Sequence, residues 1–285
     1  MSIFDSHPCI LGEGPLWHPR TNTLFWFDIL GQRLLSRASD ETRSWQFDTH
    51  HSAAGWFDER SLLIASETAL WRFDIQSGAR KHLVALEHDD PVTRSNDGRA
   101  DPWGGFWIGT MGKRAEPEAG AIYRFYRGAV RQVASKITVS NAICFAPDRS
   151  AAYYTDTITQ KIMRQPLAAD TGWPAEPATV FIDLSGTKLF PDGAVTDAAG
   201  NIWVAMWGTS GVVCFDPEGN QTARIEVPAK QPSCPAFGGP DLRDLYVTSA
   251  TDGLDAAAFE KRPANGATFI FKDVAQGRAE PQVLL

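Results

Sequence analysis

Residues 11–28, LGEGPLWHPRTNTLFWFD, contain a polar opening residue and two short apolar runs, and residues 139–156, VSNAICFAPDRSAAYYTD, repeat this pattern without a gap. In both segments a turn that begins at a proline, Pro19 or Pro147, separates the two runs. Short apolar runs bounded by turn residues are typical of β-strands. The matched segments therefore predict strands that recur along the chain.

Four further segments carry the same pattern, and in each a turn residue stands about ten positions before a run of large apolar residues. The residues that open the six copies are Glu13, Ser52, Asn96, Asn141, Asp192 and Cys234. Successive openings are roughly 40 to 50 residues apart, which is the period of a four-stranded propeller blade. The chain is therefore predicted to be all-β and to form a six-bladed β-propeller with four-stranded antiparallel blades.

The repeat runs through the whole chain, and no linker rich in Pro, Ser or charge interrupts it, so residues 1–285 are predicted to form a single domain. A hydrophobic fraction of 43% is ample for a core. We expect N- and C-terminal strands to close the ring, with residues 3–10 and 281–285 completing one shared blade from both ends, because this leaves no exposed strand edge. Truncation of either end should then be costly.

Charge and hydropathy exclude several classes of partner. A net charge of -7 and scattered Lys and Arg residues argue against a nucleic-acid surface. The N-terminus has no basic region followed by an apolar stretch, and no segment approaches the roughly 18 apolar residues of a membrane span. We expect a cytoplasmic protein that binds neither nucleic acid nor membrane and needs no obligate protein partner. The four cysteines have no paired spacing and are expected to be buried thiols.

The six opening residues also predict where the chemistry lies. The first strand of a propeller blade lies nearest the axis, so equivalent starts of six such strands converge at one face of the central channel. Glu13, Asn141 and Asp192 place an acid or an amide there, and Asn96 is a fourth oxygen donor. Two carboxylates in a half-buried funnel repel each other unless a cation compensates them. The convergence therefore predicts a site for one divalent metal ion.

The ligand types narrow the identity of this ion only in part. Carboxylate and amide oxygens without His or Cys favour calcium, magnesium or manganese, and zinc and ferrous iron stay open as alternatives. Acids and amides are also ordinary turn residues that cap their own backbone. For any single position that structural role is the commoner one, so the metal hypothesis depends on the shared position in the repeat.

Several separated segments resemble the signature motifs of the SMP-30/gluconolactonase/regucalcin family, in the family's order and over essentially the whole chain. They are LGEGPLW (11–17), RSNDGRADP (94–102), GTM (109–111), SNA (140–142), PDG (191–193), FGGP (237–240) and LYVT (245–248). The resemblance implies a six-bladed propeller whose axial divalent metal is held by Glu13, Asn141 and Asp192. It also implies that Arg94 and Asn96 contact the substrate.

The reaction that the resemblance implies is hydrolysis of a sugar lactone to the aldonic acid. A metal suits this chemistry because it polarises the lactone carbonyl and stabilises the tetrahedral oxyanion. Asp192 is the candidate general base, since it is a carboxylate beside the attacking water. Arg94 and Asn96 are expected to orient the hydroxyls or the ring oxygen of the sugar.

One loop departs from the family pattern. Lys113 and Arg114 follow the GTM segment, where regucalcin-like members carry acidic residues that reach toward the substrate. The change predicts either an altered sugar preference, which includes anionic lactones, or a solvated loop without substrate contact. Trp207, just past an apolar run, is a further candidate to face a ligand, whereas the tryptophans within strand runs are expected to pack between blades.

Two other functions stay open at this point. One is a calcium-dependent aryl-ester or organophosphate hydrolase on the same architecture, and the other is a non-catalytic metal-binding propeller, because a fold alone does not confer a function. The sequence has no Gly-x-Ser-x-Gly elbow and no His-Glu-x-x-His helix, which disfavours serine-hydrolase and zincin mechanisms.

Overall fold

A computed structural model describes all 285 residues as six four-stranded antiparallel sheets that form the blades of a β-propeller. This confirms the predicted fold class. The strands in chain order are β1 (Ser2–Asp5), β2 (Gly12–His18), β3 (Thr23–Asp28), β4 (Arg33–Ala38), β5 (Glu41–Gln46), β6 (His51–Asp58), β7 (Ser61–Ser66), β8 (Ala69–Asp74), β9 (Arg80–Ala85), β10 (Thr93–Ala100), β11 (Phe106–Gly112), β12 (Gly120–Tyr126), β13 (Ala129–Ile137), β14 (Ser140–Phe145), β15 (Ala151–Asp156), β16 (Lys161–Pro166), β17 (Thr179–Asp183), β18 (Pro191–Thr196), β19 (Ile202–Met206), β20 (Gly211–Phe215), β21 (Gln221–Glu226), β22 (Gln231–Gly238), β23 (Asp244–Ala250) and β24 (Thr268–Phe271).

Helical structure is confined to two short segments, a 3-10 turn at Thr157–Thr159 and α1 at Ala256–Lys261. Neither is long or apolar enough to cross a membrane. Blades 1 to 5 are built from successive groups of four strands, beginning with β2–β5 and ending with β18–β21, and blade 6 contains β22, β23, β24 and β1. The innermost strands of the blades are buried along nearly all of their length, whereas outermost strands such as β5 and β21 are mostly exposed.

The hydrophobic core is divided into six clusters, each formed mainly by two neighbouring blades. Trp26 packs in the cluster between blades 1 and 6, Trp107 between blades 3 and 4, and Trp203 between blades 5 and 6. These three tryptophans therefore pack between blades, as predicted. A blade has two apolar faces and buries each against a neighbour, so the ring as a whole is the unit that completes the core.

The N-terminus closes the ring as expected, but the last five residues do not. Strand β1 pairs antiparallel with β24 and forms the outermost strand of blade 6. Residues 281–285 lie instead against blades 2 and 3, where the Val283 amide donates to the Trp56 carbonyl (2.9 Å) and the Leu284 amide to the Gly104 carbonyl (2.8 Å). The prediction that 281–285 complete the shared blade was wrong because β1 already occupies the free edge of β24, and Val283 is buried elsewhere.

Each innermost strand carries a bulge near its first residues. In β2 the pairing shifts between Glu13 and Leu16, and in β14 it shifts between Asn141 and Cys144. In β18 the shift follows Pro191, so Asp192 is the first residue within the bulge. The bulges interrupt the ladder where the strands reach the mouth of the channel, and the opening residues of the repeat all lie at or beside these interruptions.

Candidate active site

The channel widens at one face into a cavity of about 740 Å³, including the space at its open mouth. Its charged and amide-bearing lining residues are Glu13, Arg94, Asn96, Asn141, Asp192 and Asp252. The structure thus brings together all five residues that the sequence analysis placed in a site. Asp252, from the loop after β23, was not predicted, because it belongs to no repeated position.

Glu13 and Asp192 line this cavity with two buried carboxyl groups. Only 4% of Glu13 and 5% of Asp192 is exposed, so water screens their charges poorly. Burial raises the pKa of Glu13 to about 8, and the charge of Asp97 adds to the increase. Burial likewise raises the pKa of Asp192 well above its ordinary value, followed by the effect of the Glu13 charge. The pair therefore favours an added proton or a bound cation.

Asn141 is held in one orientation by hydrogen bonds at both ends of its amide. Its Nδ2 donates to Thr157 Oγ1 (2.9 Å), and that hydroxyl in turn donates to the Pro191 carbonyl (2.8 Å). Its Oδ1 accepts from Asn96 Nδ2 (3.0 Å). The amide oxygen keeps a second lone pair, which is the donor that a cation at this site requires.

The backbone after Glu13 and Asn141 adopts the left-handed conformation, with a φ of 54° at Gly14 and 55° at Ala142. A Cβ atom at Gly14 would collide with the Ser52 carbonyl, so blade 1 requires glycine there. Blade 4 places an alanine at the matching position, where a side chain adopts this conformation only at a cost in free energy. Two of the three predicted ligands thus precede a left-handed residue.

Arg94 has hydrogen-bonding capacity that the protein does not use. Its Nη1 donates to the Ser95 carbonyl (2.9 Å) and to Asn96 Oδ1 (2.7 Å). Its Nε is buried and has no partner, and only 5% of Arg94 is exposed. Burial lowers the pKa of Arg94 to about 10, against the opposing effect of the Glu13 carboxylate, so the guanidinium keeps its charge near neutral pH. Arg94 lines the cavity, so its charged guanidinium is suited to an oxygen of a ligand.

Asn96 is more fully engaged with the protein than Arg94. Its Nδ2 donates to the Ser140 carbonyl (2.9 Å) as well as to Asn141, and its Oδ1 accepts from Arg94. Both amide hydrogens are therefore used, and one lone pair on Oδ1 remains for a ligand. Asn96 connects the guanidinium of Arg94 to the amide of Asn141.

Apolar side chains also line the cavity. They include Ile158, Phe190 and Trp207, and Ile158 and Phe190 expose 58% and 38% of their surface. The Trp207 amide donates to the Phe190 carbonyl (2.9 Å), which holds the two aromatic residues together. Trp207 therefore faces the cavity, as its position after an apolar run suggested. Ile158 lies in the 3-10 turn and Phe190 directly before β18, and the repeat gave no signal for either.

The basic loop does not reach this cavity. Lys113 Nζ lies 2.6 Å from Glu67 Oε2 and also donates to the Pro91 carbonyl (3.1 Å), so its charge is paired within the protein. Neither Lys113 nor Arg114 lines the cavity. Of the two readings of this loop, the geometry favours the one without substrate contact.

No three His, Cys, Asp or Glu side chains converge as a metal-binding group. The predicted ligand set does not conflict with this, because it consists of two carboxylates and the Asn141 amide. The cavity therefore offers oxygen donors of mixed type, with Arg94 as the one cationic side chain in its lining.

Residues 11–251 match the sequence model of the SMP-30/Gluconolactonase/LRE-like region. This match covers most of the chain and includes every residue named above as a candidate ligand or substrate contact. The chain belongs to the SMP-30/gluconolactonase/LRE-like family.

Members of this family with sequences similar to the chain include two proteins described as lactonases. The putative sugar lactone lactonase of Rhizobium meliloti (strain 1021) is 43% identical over 95% of this chain and 92% of its own length. The L-arabinolactonase of Azospirillum brasilense is 35% identical over 94% of this chain and 90% of its own length. The crystal structure of regucalcin from Agrobacterium tumefaciens, described as a calcium-binding protein, superposes with a TM-score of 0.98 at 43% identity and covers 100% of this chain and 97% of that one.

Proposed function

We propose that this chain is a lactonase that hydrolyses a sugar lactone to the aldonic acid. Membership of the SMP-30/gluconolactonase/LRE-like family and its similarity to proteins named as sugar lactonases support this activity. The observation that carries the proposal is the convergence in one cavity of two buried carboxyl groups, an amide, and an arginine whose Nε has no hydrogen-bond partner. Such a site combines a candidate base with donors for developing negative charge.

The cavity suits a monosaccharide lactone in polarity, because polar and apolar side chains line it together. Its polar groups can pair with hydroxyls and the ring oxygen. Phe190 and Trp207 offer apolar surface to the C–H face of a sugar ring.

We further propose that Glu13, Asn141 and Asp192 hold one divalent metal ion. The residues fit such an ion, because two buried carboxyl groups that repel each other stand beside an amide oxygen with a free lone pair. When bound, the ion supplies positive charge that stabilises the developing oxyanion and makes water more acidic. Oxygen donors favour calcium, magnesium or manganese over zinc or ferrous iron.

Asp192 is the proposed general base. Its carboxylate accepts a proton from the water that attacks the lactone carbonyl carbon, and the new C–O bond forms as the carbonyl π electrons move to oxygen. The ring C–O bond then breaks, and the ring oxygen takes the proton back from Asp192. The balanced products are the aldonic acid and the regenerated carboxylate.

Arg94 is proposed to bind and orient the lactone. Its guanidinium, which lines the cavity, donates to a substrate oxygen, and its charge favours the carboxylate that forms on hydrolysis. Asn96 supports Arg94 through its Oδ1 and offers its remaining lone pair to a sugar hydroxyl.

Hydrolysis by the purified protein, followed in a pH-stat, tests this function. The substrates are pentono- and hexonolactones and aryl esters, and the protein is assayed after chelation and again with calcium, magnesium, manganese or zinc restored. We expect lactone turnover above the spontaneous rate, which chelation removes and at least one metal restores. Turnover of esters alone would favour an aryl-ester hydrolase, and no turnover at all would favour a non-catalytic propeller.

A further inference from the structure

Below the cavity, the side chain of Arg99 lies along the channel and contacts three separate parts of the chain. Arg99 is in β10 of blade 3 and is 8% exposed. Its Nε donates to the Ile143 carbonyl (3.1 Å) in blade 4, and its Nη2 donates to the Ala194 carbonyl (3.0 Å) in blade 5. Its Nη1 pairs with the Glu280 carboxylate near the C-terminus. The guanidinium thus links two blades and the tail of the chain.

The two carbonyls that Arg99 binds occupy matching positions. Ile143 is two residues after Asn141, and Ala194 is two residues after Asp192. Ile143 lies inside the bulge of β14, and Ala194 is the residue at which pairing resumes after the bulge of β18. One planar group therefore holds the backbone directly behind two of the proposed metal ligands.

Strand β10, which carries Arg99, also binds the backbone amide of Ile143. Asp97 Oδ2 accepts a hydrogen bond from the Ile143 amide (2.6 Å). The bulge leaves Ile143 without a cross-strand partner in the β14–β15 register, and Asp97 and Arg99 bind its amide and its carbonyl. The left-handed Ala142 precedes Ile143, so this bulge has a conformation that needs support from its surroundings.

We propose that Arg99 is a positioning residue that fixes the separation of Asn141 and Asp192 by binding the backbone behind both. This inference rests on the proposed role of those two residues as metal ligands. Glu280 holds the guanidinium in place, and its own backbone is anchored because its carbonyl accepts from Trp56 Nε1 (2.8 Å). The C-terminal segment thereby supports the geometry of the metal site from below.

The arginine fork is the feature that the proposal requires. A guanidinium presents several N–H donors in one fixed plane and can bind two carbonyls and a carboxylate together, whereas an ammonium group has no such fixed geometry. Arg99→Lys keeps the charge beside Glu280, so the fold retains its buried ion pair. It loses the rigid connection between Ile143 and Ala194.

Binding of Mn²⁺, followed by its electron paramagnetic resonance signal, tests this role without any assay of activity. Supporting groups behind metal ligands typically change metal affinity by about 10- to 100-fold, so we expect Arg99→Lys to raise the Kd for Mn²⁺ by at least about tenfold. Arg124→Lys is the matched control, because Arg124 is a buried arginine that pairs with Asp101 (2.6 Å) and donates to the Thr171 carbonyl (2.8 Å), but binds no backbone next to a proposed metal ligand. This control should keep the parental Kd within about twofold, since it leaves the ligands and their support untouched.

A second variant covers the case in which Arg99→Lys does not fold. Arg99→Met combined with Glu280→Gln removes both members of the buried ion pair and should also weaken Mn²⁺ binding. A folded Arg99 variant with the parental Kd would contradict the proposal. Failure of both variants to fold would contradict it too, by making Arg99 a requirement of the whole fold. Parental protein that binds no Mn²⁺ would instead contradict the proposed metal site itself.

Discussion

Asp192 carries a carboxyl group that is buried beside a second one, at Glu13, and burial disfavours the charged form of both groups in the metal-free protein. Function and stability therefore make opposite demands on this residue. Asp192→Asn removes one of the two repelling groups and keeps the shape of the side chain. We expect it to raise the free energy of unfolding of the metal-free protein by about 1 kcal/mol, a shift in Tm of a few degrees.

The same substitution is expected to abolish lactonase activity, because a general base contributes about 10²- to 10⁴-fold to the rate. Calorimetry after chelation and the pH-stat assay measure the two effects. Glu218→Gln serves as the control, since it removes a charge from an exposed turn and should change neither quantity. Near-normal turnover by Asp192→Asn would show that another group acts as the base.

His51 predicts a dependence of stability on pH that is separate from the cavity. The residue is fully buried, its Nδ1 lies 3.0 Å from the Thr49 carbonyl, and its Nε2 lies 3.1 Å from Arg80 Nη1. Burial lowers the pKa of His51 to about 4, and the Arg80 charge adds to the decrease. The folded state therefore binds this proton less readily than the unfolded chain, whose histidine has a pKa of about 6.5.

This contribution is fully present above pH 6.5 and is lost as the pH falls toward 4, because the unfolded chain then takes up a proton that the folded state does not. Between pH 7 and pH 5 the loss from His51 is about 2 kcal/mol. Urea unfolding should show a smaller loss of stability over this interval for His51→Gln than for the parent. His88→Gln, at an exposed histidine, should follow the parental profile, and parallel profiles for all three proteins would contradict the assignment.

At the scale of single elements, β1 is only four residues long, but it is the strand that completes blade 6. Phe4 on this strand packs edge-on against Tyr246 (4.8 Å between ring centroids), and β1 covers the edge of β24. A chain that lacks residues 1–5 exposes that edge, so we expect a lower Tm and a concentration-dependent tendency to associate. Calorimetry and light scattering measure these effects.

A chain that lacks residues 281–285 is the matched comparison, because an equal number of residues is removed. It loses the buried Val283 and two backbone hydrogen bonds, so its Tm should also fall. It leaves the edge of β24 covered by β1 and should stay monodisperse. Equal association of the two truncated chains would show that the edge of β24 is not the cause.

The strands could be predicted from the sequence, but the bulges could not. Short apolar runs between turn residues mark a strand wherever it occurs, and the repeat of this pattern gave the number of blades. A bulge depends on how two strands pair, and the residues around Asn141 and Asp192 contain no local signal for the shift. For the same reason, the pairing of Arg99 with carbonyls from two other blades had no signature in the sequence.

The residues that line the cavity were predictable to the extent that the ring makes equivalent positions neighbours. Glu13, Asn141 and Asp192 come from blades 1, 4 and 5, and they meet because each stands near the start of an innermost strand. Asp252, Ile158 and Phe190 reach the cavity from connecting loops and turns, whose paths are set by packing. A repeat cannot predict those paths. The chemical roles of all these residues remain predictions.

For the molecule as a whole, a bound ion would connect blades on opposite sides of the channel. An ion that binds only the folded state stabilises it by RT ln(1 + [L]/Kd), or about 2.7 kcal/mol at one hundred times the Kd. We expect saturating Mn²⁺ to raise the Tm of the chelated protein by about 5 to 10 °C. The transition should remain single, because each blade completes its core only against its neighbours. That outcome also tests the prediction that residues 1–285 form one domain.

Asn141→Ala should abolish the increase in Tm, since it removes a ligand without removing charge. The same increase in that variant, or two separate transitions in the parent, would contradict this account of how the ring and the ion depend on each other.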